Sequence, residues 1–181
     1  MTKKDLIEKI IIPEGISVSK EGNFYTFKYQ KAVVSRKFDN PKVNITLNKN
    51  EIDLVCKSAT KKDKAVFQSY LVHLKNIFEG LKQPYKYTLK ICSGHFPMNV
   101  SVANGNLIVK NFLGEKIPRQ LKLKENVTVK VDGNLIHVES HDKELAGQVS
   151  ADIERITRRP GFDRRIFQDG IYLIEKSGEE I

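Results

Sequence analysis

Two segments decide the fold: "VNITLNKNEIDLV" (residues 43–55) and "VTVKVDGNLIHV" (residues 127–138). In each segment apolar residues alternate with polar ones, turn-forming residues interrupt the alternation, and the alternation then resumes. The second turn contains Asp132-Gly133, and Asp-Gly between alternating apolar residues is a strong signal for a β-hairpin. The sequence therefore predicts one antiparallel hairpin in each half of the chain.

Each predicted hairpin is followed by a pattern typical of an amphipathic helix. The first helix is predicted to begin at Asp63-Lys64 and the second at Asp142-Lys143, since an acidic residue favours a helix N-terminus. Gly80 is predicted to end the first helix, and Pro84 to block its continuation. Within both predicted helices, apolar residues recur at positions i, i+4, i+8 and i+11, which lie on one helix face. They are Val66, Tyr70, Leu74 and Ile77 in the first helix and Leu145, Val149, Ile153 and Ile156 in the second.

The matching patterns predict an α+β protein of two duplicated domains. Each domain has an antiparallel-rich sheet covered on one face by one main helix. The predicted domains are residues 1–82 and residues 83–181, the second starting with the strand "YKYTLKICS". The alternative is one continuous sheet with two helices.

Composition points to an anionic partner. The 181 residues include 31 Lys and Arg against 22 Asp and Glu, a net charge of +9 with a pI near 9.4. Such a balance favours nucleic acid, with a membrane surface or a basic enzyme as alternatives. No apolar run approaches the roughly 20 residues that span a bilayer. The start of the chain lacks the long apolar stretch and cleavage site of a signal peptide, so we expect a cytoplasmic protein.

The sequence contains few features of catalysis. None of the common phosphate-binding, zinc-protease or serine-hydrolase motifs occurs. His137 and His141 are four apart, but their segment indicates a strand running into a turn, so we expect no metal site. Cys56 and Cys92 are widely separated and are expected to be small apolar core residues. We therefore expect no enzyme and no cofactor.

Arginine is concentrated in "RITRRPGFDRRIFQD" (residues 155–169), which holds five of the seven arginines in the chain. The planar guanidinium group of arginine presents several N–H donors in a geometry that matches phosphate oxygens, whereas lysine presents a single ammonium group. Pro160 and Gly161 are predicted to end the second helix and let the chain fold back. The matching helix of the first half ends in "NIFEGLKQP", without arginine. The duplicated fold therefore does not require the cluster.

Several alternatives stay open for this region. A cation near a helix C-terminus interacts favourably with the helix dipole, by about 0.3 to 1 kcal/mol, and nearby carboxylates could form a solvated ion-pair face. Phe162, Phe167 and Tyr172 could stack on unpaired bases, or the last two could belong to a local core. "QDGIY" indicates a turn entering a short strand. His95 and Phe96 could touch RNA or pack on a neighbouring hairpin.

Three segments carry a family resemblance: "SGHFPMNV" (residues 93–100), "NFLGEK" (residues 111–116) and "RRPGFDRRIFQDGIYL" (residues 158–173). Together they resemble the archaeal branch of the ribosomal protein L6 family of the large ribosomal subunit, and the duplicated plan is similar too. The resemblance implies a structural, non-catalytic constituent of the large subunit that acts in translation. It implies binding to large-subunit rRNA near the base of the factor-binding stalk, beside neighbouring ribosomal proteins, with most RNA contacts made by the second domain.

The pattern and the resemblance together predict a set of RNA-binding residues. These are Arg155, Arg158, Arg159, Gly161, Phe162, Arg164, Arg165, Gln168, His95 and Phe96. The alternative function is a protein-interaction module that binds partners through an exposed sheet edge. The acidic end "EKSGEEI" could also contact a protein neighbour.

Overall fold

Each half of the chain forms antiparallel strands packed against one long helix, in a computed structural model that describes residues 4–163 and 165–181. The chain divides into two compact units, Met1–Gln83 (unit 1) and Pro84–Ile181 (unit 2). The α+β class predicted from the two hairpins is confirmed. No helix in the described ranges is long and apolar enough to cross a membrane.

Unit 1 contains two three-stranded sheets and one helix. Its elements are β1 (Lys4–Ile11), β2 (Ser17–Glu21), β3 (Phe24–Tyr29), β4 (Ala32–Lys37), β5 (Asn44–Leu47), β6 (Glu51–Ala59) and α1 (Lys61–Lys82). The sheets have the strand orders β1-β6-β5 and β2-β3-β4, with antiparallel pairs throughout. The predicted hairpin is the β5–β6 pair, and α1 packs on strands of both sheets.

Helix α1 begins earlier and ends later than the sequence predicted. Thr60 is the N-cap, and Asp63 is the third helical residue of a capping box in which each residue bonds the backbone N–H of the other. Gly80 does not end the helix but is buried within it, and the helix stops at Lys82, two residues before Pro84. Two residues of the predicted apolar face, Leu74 and Ile77, are buried, whereas Val66 and Tyr70 are half-buried at its margin. The other buried apolar residues of α1 are Phe67, Leu71, Phe78 and Leu81.

Unit 2 contains a five-stranded sheet, a three-stranded sheet and the second helix. Its elements are β7 (Tyr85–Cys92), β8 (Asn99–Ala103), β9 (Asn106–Lys110), a 3-10 turn (Phe112–Gly114), β10 (Arg119–Lys122), β11 (Thr128–Asp132), β12 (Leu135–Ser140), α2 (Lys143–Ile156), β13 (Gly170–Lys176) and β14 (Glu179–Glu180). The orders are β11-β12-β7-β13-β14 and β10-β9-β8. Asp132 pairs with Leu135 across the predicted hairpin turn.

The core of unit 2 lies between α2 and its sheets. Ala146, Val149 and Ile153 form the buried face of α2, and the helix contacts β7, β12, β13 and β10. Asp142 caps the helix by accepting a 2.9 Å hydrogen bond from the Glu144 N–H group, as predicted. Helix α2 therefore touches both sheets of the unit, and its C-terminal end leads directly into the arginine-rich segment.

The division of each unit into two sheets was not signalled by the sequence. Alternation of apolar and polar residues marks a strand with one buried face, but it does not identify the neighbouring strand. The described strands form four sheets, so the alternative of one continuous sheet is wrong.

Candidate nucleic-acid interface

The three segments that carry the family resemblance meet at one end of unit 2. Asn111 Nδ2 donates a 3.0 Å hydrogen bond to the Pro97 carbonyl oxygen, which joins the second segment to the first. The backbone N–H of Gly94 donates to the Asp169 carboxylate, which joins the first segment to the third. We call the connection between α2 and β13, residues 157–169, the arginine loop.

The arginine loop begins earlier than predicted, because α2 ends at Ile156. Thr157 is the C-cap; its hydroxyl donates to the Glu154 carbonyl oxygen (3.1 Å) and accepts from the Ile171 N–H group (3.0 Å). Pro160 and Gly161 therefore do not end the helix; they turn the loop beyond it. Gly161 has φ +84° with open space around its Cα, so its requirement for glycine is purely conformational.

Arg119 holds the end of α2, a role that the sequence did not reveal. Its Nε and Nη2 atoms donate to the two Glu115 carboxylate oxygens (2.7 and 2.6 Å), and Nη1 donates to the Ile156 carbonyl oxygen (2.6 Å). Its guanidinium carbon lies 4.4 Å from the Phe112 ring centre. The hydrogen bonds from Arg119 lower the pKa of Glu115 against the effect of burial, with a further contribution from the Arg159 charge. Arg119 is thus committed to the fold.

Asp169 anchors the other end of the arginine loop. Its carboxylate is buried and accepts the N–H groups of Gly94 and His95, and His95 Nδ1 lies 3.4 Å away. Burial would raise the pKa of Asp169, but these hydrogen bonds and the imidazole outweigh it and lower the pKa. A Cβ on Gly94 would stand 3.2 Å from Asp169 Oδ1, so the close approach favours glycine there. The "QDGIY" turn is therefore also a buried contact to residues 94–95.

Aromatic rings and one arginine pack along the loop. The Arg159 guanidinium carbon lies 4.1 Å from the Phe162 ring centre, Phe162 meets Phe167 edge-on at 5.0 Å, and Phe167 lies 5.3 Å from His95. His95 thus packs on the arginine loop, not on a hairpin. Phe167 is half-buried, which fits a local core, whereas Phe162 is exposed, which leaves its ring accessible to a base. Phe96 is exposed beside Gly114.

The described arginines of the predicted set are all exposed. Arg155 lies in the last turn of α2, where its side chain is 72% exposed and forms an ion pair with Asp152 at 3.4 Å. Arg158, Arg159 and Arg165 follow on the loop, and Gln168 Nε2 donates to the Arg165 carbonyl oxygen. Arg164 lies outside the described residues. The structure therefore places four exposed guanidinium groups at the end of α2 and on a loop that is fixed at both ends.

A pocket of about 240 Å³ opens between α2 and the arginine loop. The residues that line it come from the 3-10 turn, the last two turns of α2, the loop and the start of β13. They are Phe112, Leu113, Ala151, Glu154, Arg155, Thr157, Arg158, Arg159, Phe162, Phe167, Asp169, Ile171 and Tyr172. Sequence reasoning missed this pocket, because its walls are brought together only by the fold.

The remaining candidates for chemistry lie elsewhere in unit 2 or in unit 1. His137 is on β12, 3.4 Å from the Thr88 hydroxyl, which donates to Glu175. Within residues 4–163 and 165–181, no group of three potential metal ligands comes together. Cys56 is buried and Cys92 is half-buried, and both are free thiols.

Comparison with known proteins gives consistent matches. A family model described as "Ribosomal protein L6" matches residues 96–170, which include most of the segments that meet at this end of unit 2. The chain is 40% identical to the large ribosomal subunit protein uL6 of Methanosarcina mazei over 174 residues, 96% of this chain and 99% of that protein. It is 42% identical to the protein of the same name from Nanoarchaeum equitans and 38% identical to that from Methanococcus vannielii. These matches cover 96% and 95% of this chain and 94% of each relative.

The identity extends over both units at a level that random similarity does not reach, and hydrogen bonds join the three family segments at one end of unit 2. The chain belongs to the ribosomal protein L6 family.

Proposed function

We propose that this protein is a structural constituent of the large ribosomal subunit and binds large-subunit rRNA through the arginine loop of unit 2. The relatives are named as large-subunit proteins, and members of the family are structural proteins rather than enzymes. The protein then acts in translation as part of the cytoplasmic ribosome. Its binding region on the rRNA is near the base of the factor-binding stalk, beside other ribosomal proteins.

The observation that carries this proposal is a set of exposed arginines on a loop that the fold holds at both ends. Thr157 joins the start of the loop to β13, and Asp169 joins its end to residues 94–95. Guanidinium groups on an ordered segment lose less conformational entropy on binding than those on a free tail. The arrangement therefore suits phosphate groups at fixed positions, as in folded RNA.

The contrast between the two units supports the same conclusion. Helix α1 ends at Lys82, Gln83 is its C-cap, and unit 2 begins at the next residue, Pro84. Helix α2 ends in a 13-residue loop that carries four of the five clustered arginines. Since the two units share a plan, the arginine loop is an addition that folding does not demand.

Removal of two loop charges tests the proposal. We expect Arg158→Ala/Arg159→Ala to weaken binding to a large-subunit rRNA transcript. The slope of log affinity against log salt should also fall by about 0.7 to 0.9 for each phosphate group that the variant no longer binds. The matched control is Lys61→Ala/Lys62→Ala, which removes the same charge from the exposed start of α1. Equal reductions in affinity for both variants would indicate that only net charge matters and would contradict a site at the arginine loop.

A second candidate function is strand addition by a protein partner at β1. This strand pairs with β6 alone in its sheet, and its Ile7 and Ile11 are 63% and 72% exposed. An edge strand with exposed apolar side chains is a template for another chain. Association with ribosomes that survives nuclease treatment and resists salt would favour this candidate; loss of association after nuclease treatment would favour RNA.

A further inference from the structure

The pocket beside the arginine loop has the size of a site for one small planar group. Its volume of about 240 Å³ is below the range of roughly 300 to 1,000 Å³ of pockets for drug-sized ligands. One wall is a single face of α2, formed by Ala151, Glu154 and Arg155, the last two lying three and four residues after the first. The opposite wall is the arginine loop.

Apolar and aromatic side chains form the floor and one side of this pocket. Phe112 and Ile171 are almost fully buried beneath it, and Phe162 and Phe167 contribute rings at its side. Flat apolar rings favour stacking with another flat ring, and a nucleobase presents such a face whatever its identity. An aliphatic peptide side chain would leave this geometry unused.

Two polar groups that line the pocket, the Thr157 hydroxyl and the Asp169 carboxylate, are already engaged by the protein. The Thr157 hydroxyl donates to the Glu154 carbonyl oxygen and accepts from the Ile171 N–H group. The Asp169 carboxylate accepts from Gly94 and His95. Because these two groups are not free to read the hydrogen-bonding edge of a base, we expect the pocket to select mainly by shape and stacking.

The rim of the pocket is cationic. Arg155, Arg158 and Arg159 line it and are exposed, and Glu154 is the one exposed carboxylate among the described lining residues, so an anionic group would meet a net positive charge there. Arg159 also lies over the Phe162 ring, with its guanidinium carbon 4.1 Å from the ring centre, so a cation–π contact joins the rim to the aromatic side of the pocket. A planar ring that carries a phosphate matches the interior and the rim together.

We propose that this pocket accepts one unpaired nucleotide of the bound RNA, with its base inside and its phosphate at the arginines. The inference rests on the proposed rRNA binding and deepens it. Specific RNA recognition commonly uses bases that are turned out of a helix and stacked on aromatic or arginine side chains. The pocket would let the protein recognise the shape of the RNA as well as its charge.

Filling the pocket without altering charge tests this idea. Ala151→Leu places a larger side chain in the wall at an exposed helix position, and leucine is a good helix former. We expect its affinity for a large-subunit rRNA transcript to fall about 5- to 150-fold, the effect of losing one stacked base. The salt slope should stay unchanged, because every arginine remains. Ala65→Leu, at an exposed position of α1, is the matched control and should bind like the parent protein.

The results separate this inference from the proposed function. Parent-like affinity of Ala151→Leu, with normal salt-dependent binding by the parent protein, would overturn the pocket proposal and leave the arginine loop standing. Absence of rRNA binding by the parent protein would overturn both. Chemical probing of the complex formed by the parent protein gives a second measurement that needs no variant. One unpaired base in the bound region should become protected, and its failure to do so would contradict the proposal.

Adenosine 5′-monophosphate tests whether the pocket binds a free nucleotide instead of a nucleotide that is part of RNA. We expect about 1 mM of it, which half-saturates a site with a Kd of that value, to displace no rRNA and to leave the thermal unfolding of the protein unchanged. Stabilisation by the free nucleotide that Ala151→Leu abolishes, with rRNA binding unaffected, would overturn the RNA source.

Discussion

Arg119 Nη1 lies 2.6 Å from the carbonyl oxygen of Ile156, the last residue of α2. Carbonyl groups at a helix C-terminus have no partner within the helix, and here a charged donor from 37 residues away supplies one. Because the same guanidinium group bonds both Glu115 oxygens, the segment 111–119 fixes the place where the arginine loop begins.

The first prediction concerns this contact. Arg119→Lys keeps the charge but cannot hold Glu115 and Ile156 together, because it lacks the planar fork. We expect the free energy of unfolding of unit 2 to fall by about 1.5 to 3 kcal/mol, the usual worth of a hydrogen bond to a charged group. Urea unfolding measures this. Arg155→Lys, at a largely exposed ion pair, should change stability by less than about 0.5 kcal/mol; an equal reduction in both variants would argue against the contact.

The second prediction concerns Asp169. Its pKa is lowered in the folded protein, so its contribution to stability is present above the unfolded pKa, about 3.8 to 3.9. That contribution is lost as the pH falls through the folded pKa. Asp169→Asn should cost about 1 to 3 kcal/mol at pH 7 by removing a buried charged acceptor.

Unfolding of Asp169→Asn and the parent protein should be compared between pH 7 and pH 2. The difference between them should shrink as the parent carboxylate becomes protonated. The exposed Glu125→Gln serves as the control and should shift stability by under about 0.5 kcal/mol at pH 7. A difference that stays constant with pH would rule out the carboxylate charge as the cause.

The third prediction concerns the capping box of α1. Thr60→Ala should lower the stability of unit 1 by about 0.5 to 2 kcal/mol, because it removes an acceptor from the N-terminus of the helix. Hydrogen bonds from Thr60 and Lys42 lower the pKa of Asp63 to about 2. The stabilisation by Asp63 is therefore complete above its usual pKa near 3.8 and is lost as the pH falls toward 2.

Thermal unfolding as a function of pH measures the effect of the capping box. Lys61→Ala, one residue from the cap, should leave the transition almost unchanged. If Thr60→Ala also weakened rRNA binding at temperatures where the protein is folded, the assignment of the RNA site to unit 2 alone would be wrong.

The fourth prediction concerns Gly161. Its φ of +84° is costly for residues with a Cβ, by roughly 1 to 2 kcal/mol, although nothing nearby would clash. Gly161→Ala should therefore weaken rRNA binding by distorting the loop, whereas Gly161→Asn should recover part of the affinity, since asparagine tolerates positive φ better. Filter binding measures both. Equally weak binding by the two variants would indicate a need for space at the RNA surface rather than a backbone effect.

Sequence reasoning identified the elements that depend on local periodicity and turn chemistry. The β11–β12 hairpin and the start of α2 at Asp142 follow from residues close in sequence. The start of α1 was misplaced because Asp63 was taken as its first residue, although Thr60 three residues earlier completes a capping box. Gly80 was taken as a helix end, but tertiary packing tolerates a buried glycine inside α1.

The site could be predicted only in part. The arginines were identified by their unusual concentration, and their roles in RNA binding stay a prediction. The contacts of Arg119 and Asp169 join residues 37 and 75 positions apart, and no local pattern signals such distances. Arg119 lies outside the arginine cluster, but its position three residues after the second family segment is a signal that sequence reasoning could have used.

Because the arginine loop is attached to β13, its proposed RNA-binding surface can form only late in the synthesis of the chain. Strand β13 follows the loop, pairs with β7 inside the sheet, and supplies the Ile171 N–H group that donates to the Thr157 hydroxyl. A chain that stopped at residue 168 would contain every arginine but neither Asp169 nor β13 to shape the loop. During synthesis, the arginines are therefore made before the residues that arrange them, and the loop surface is completed only when β13 has been added.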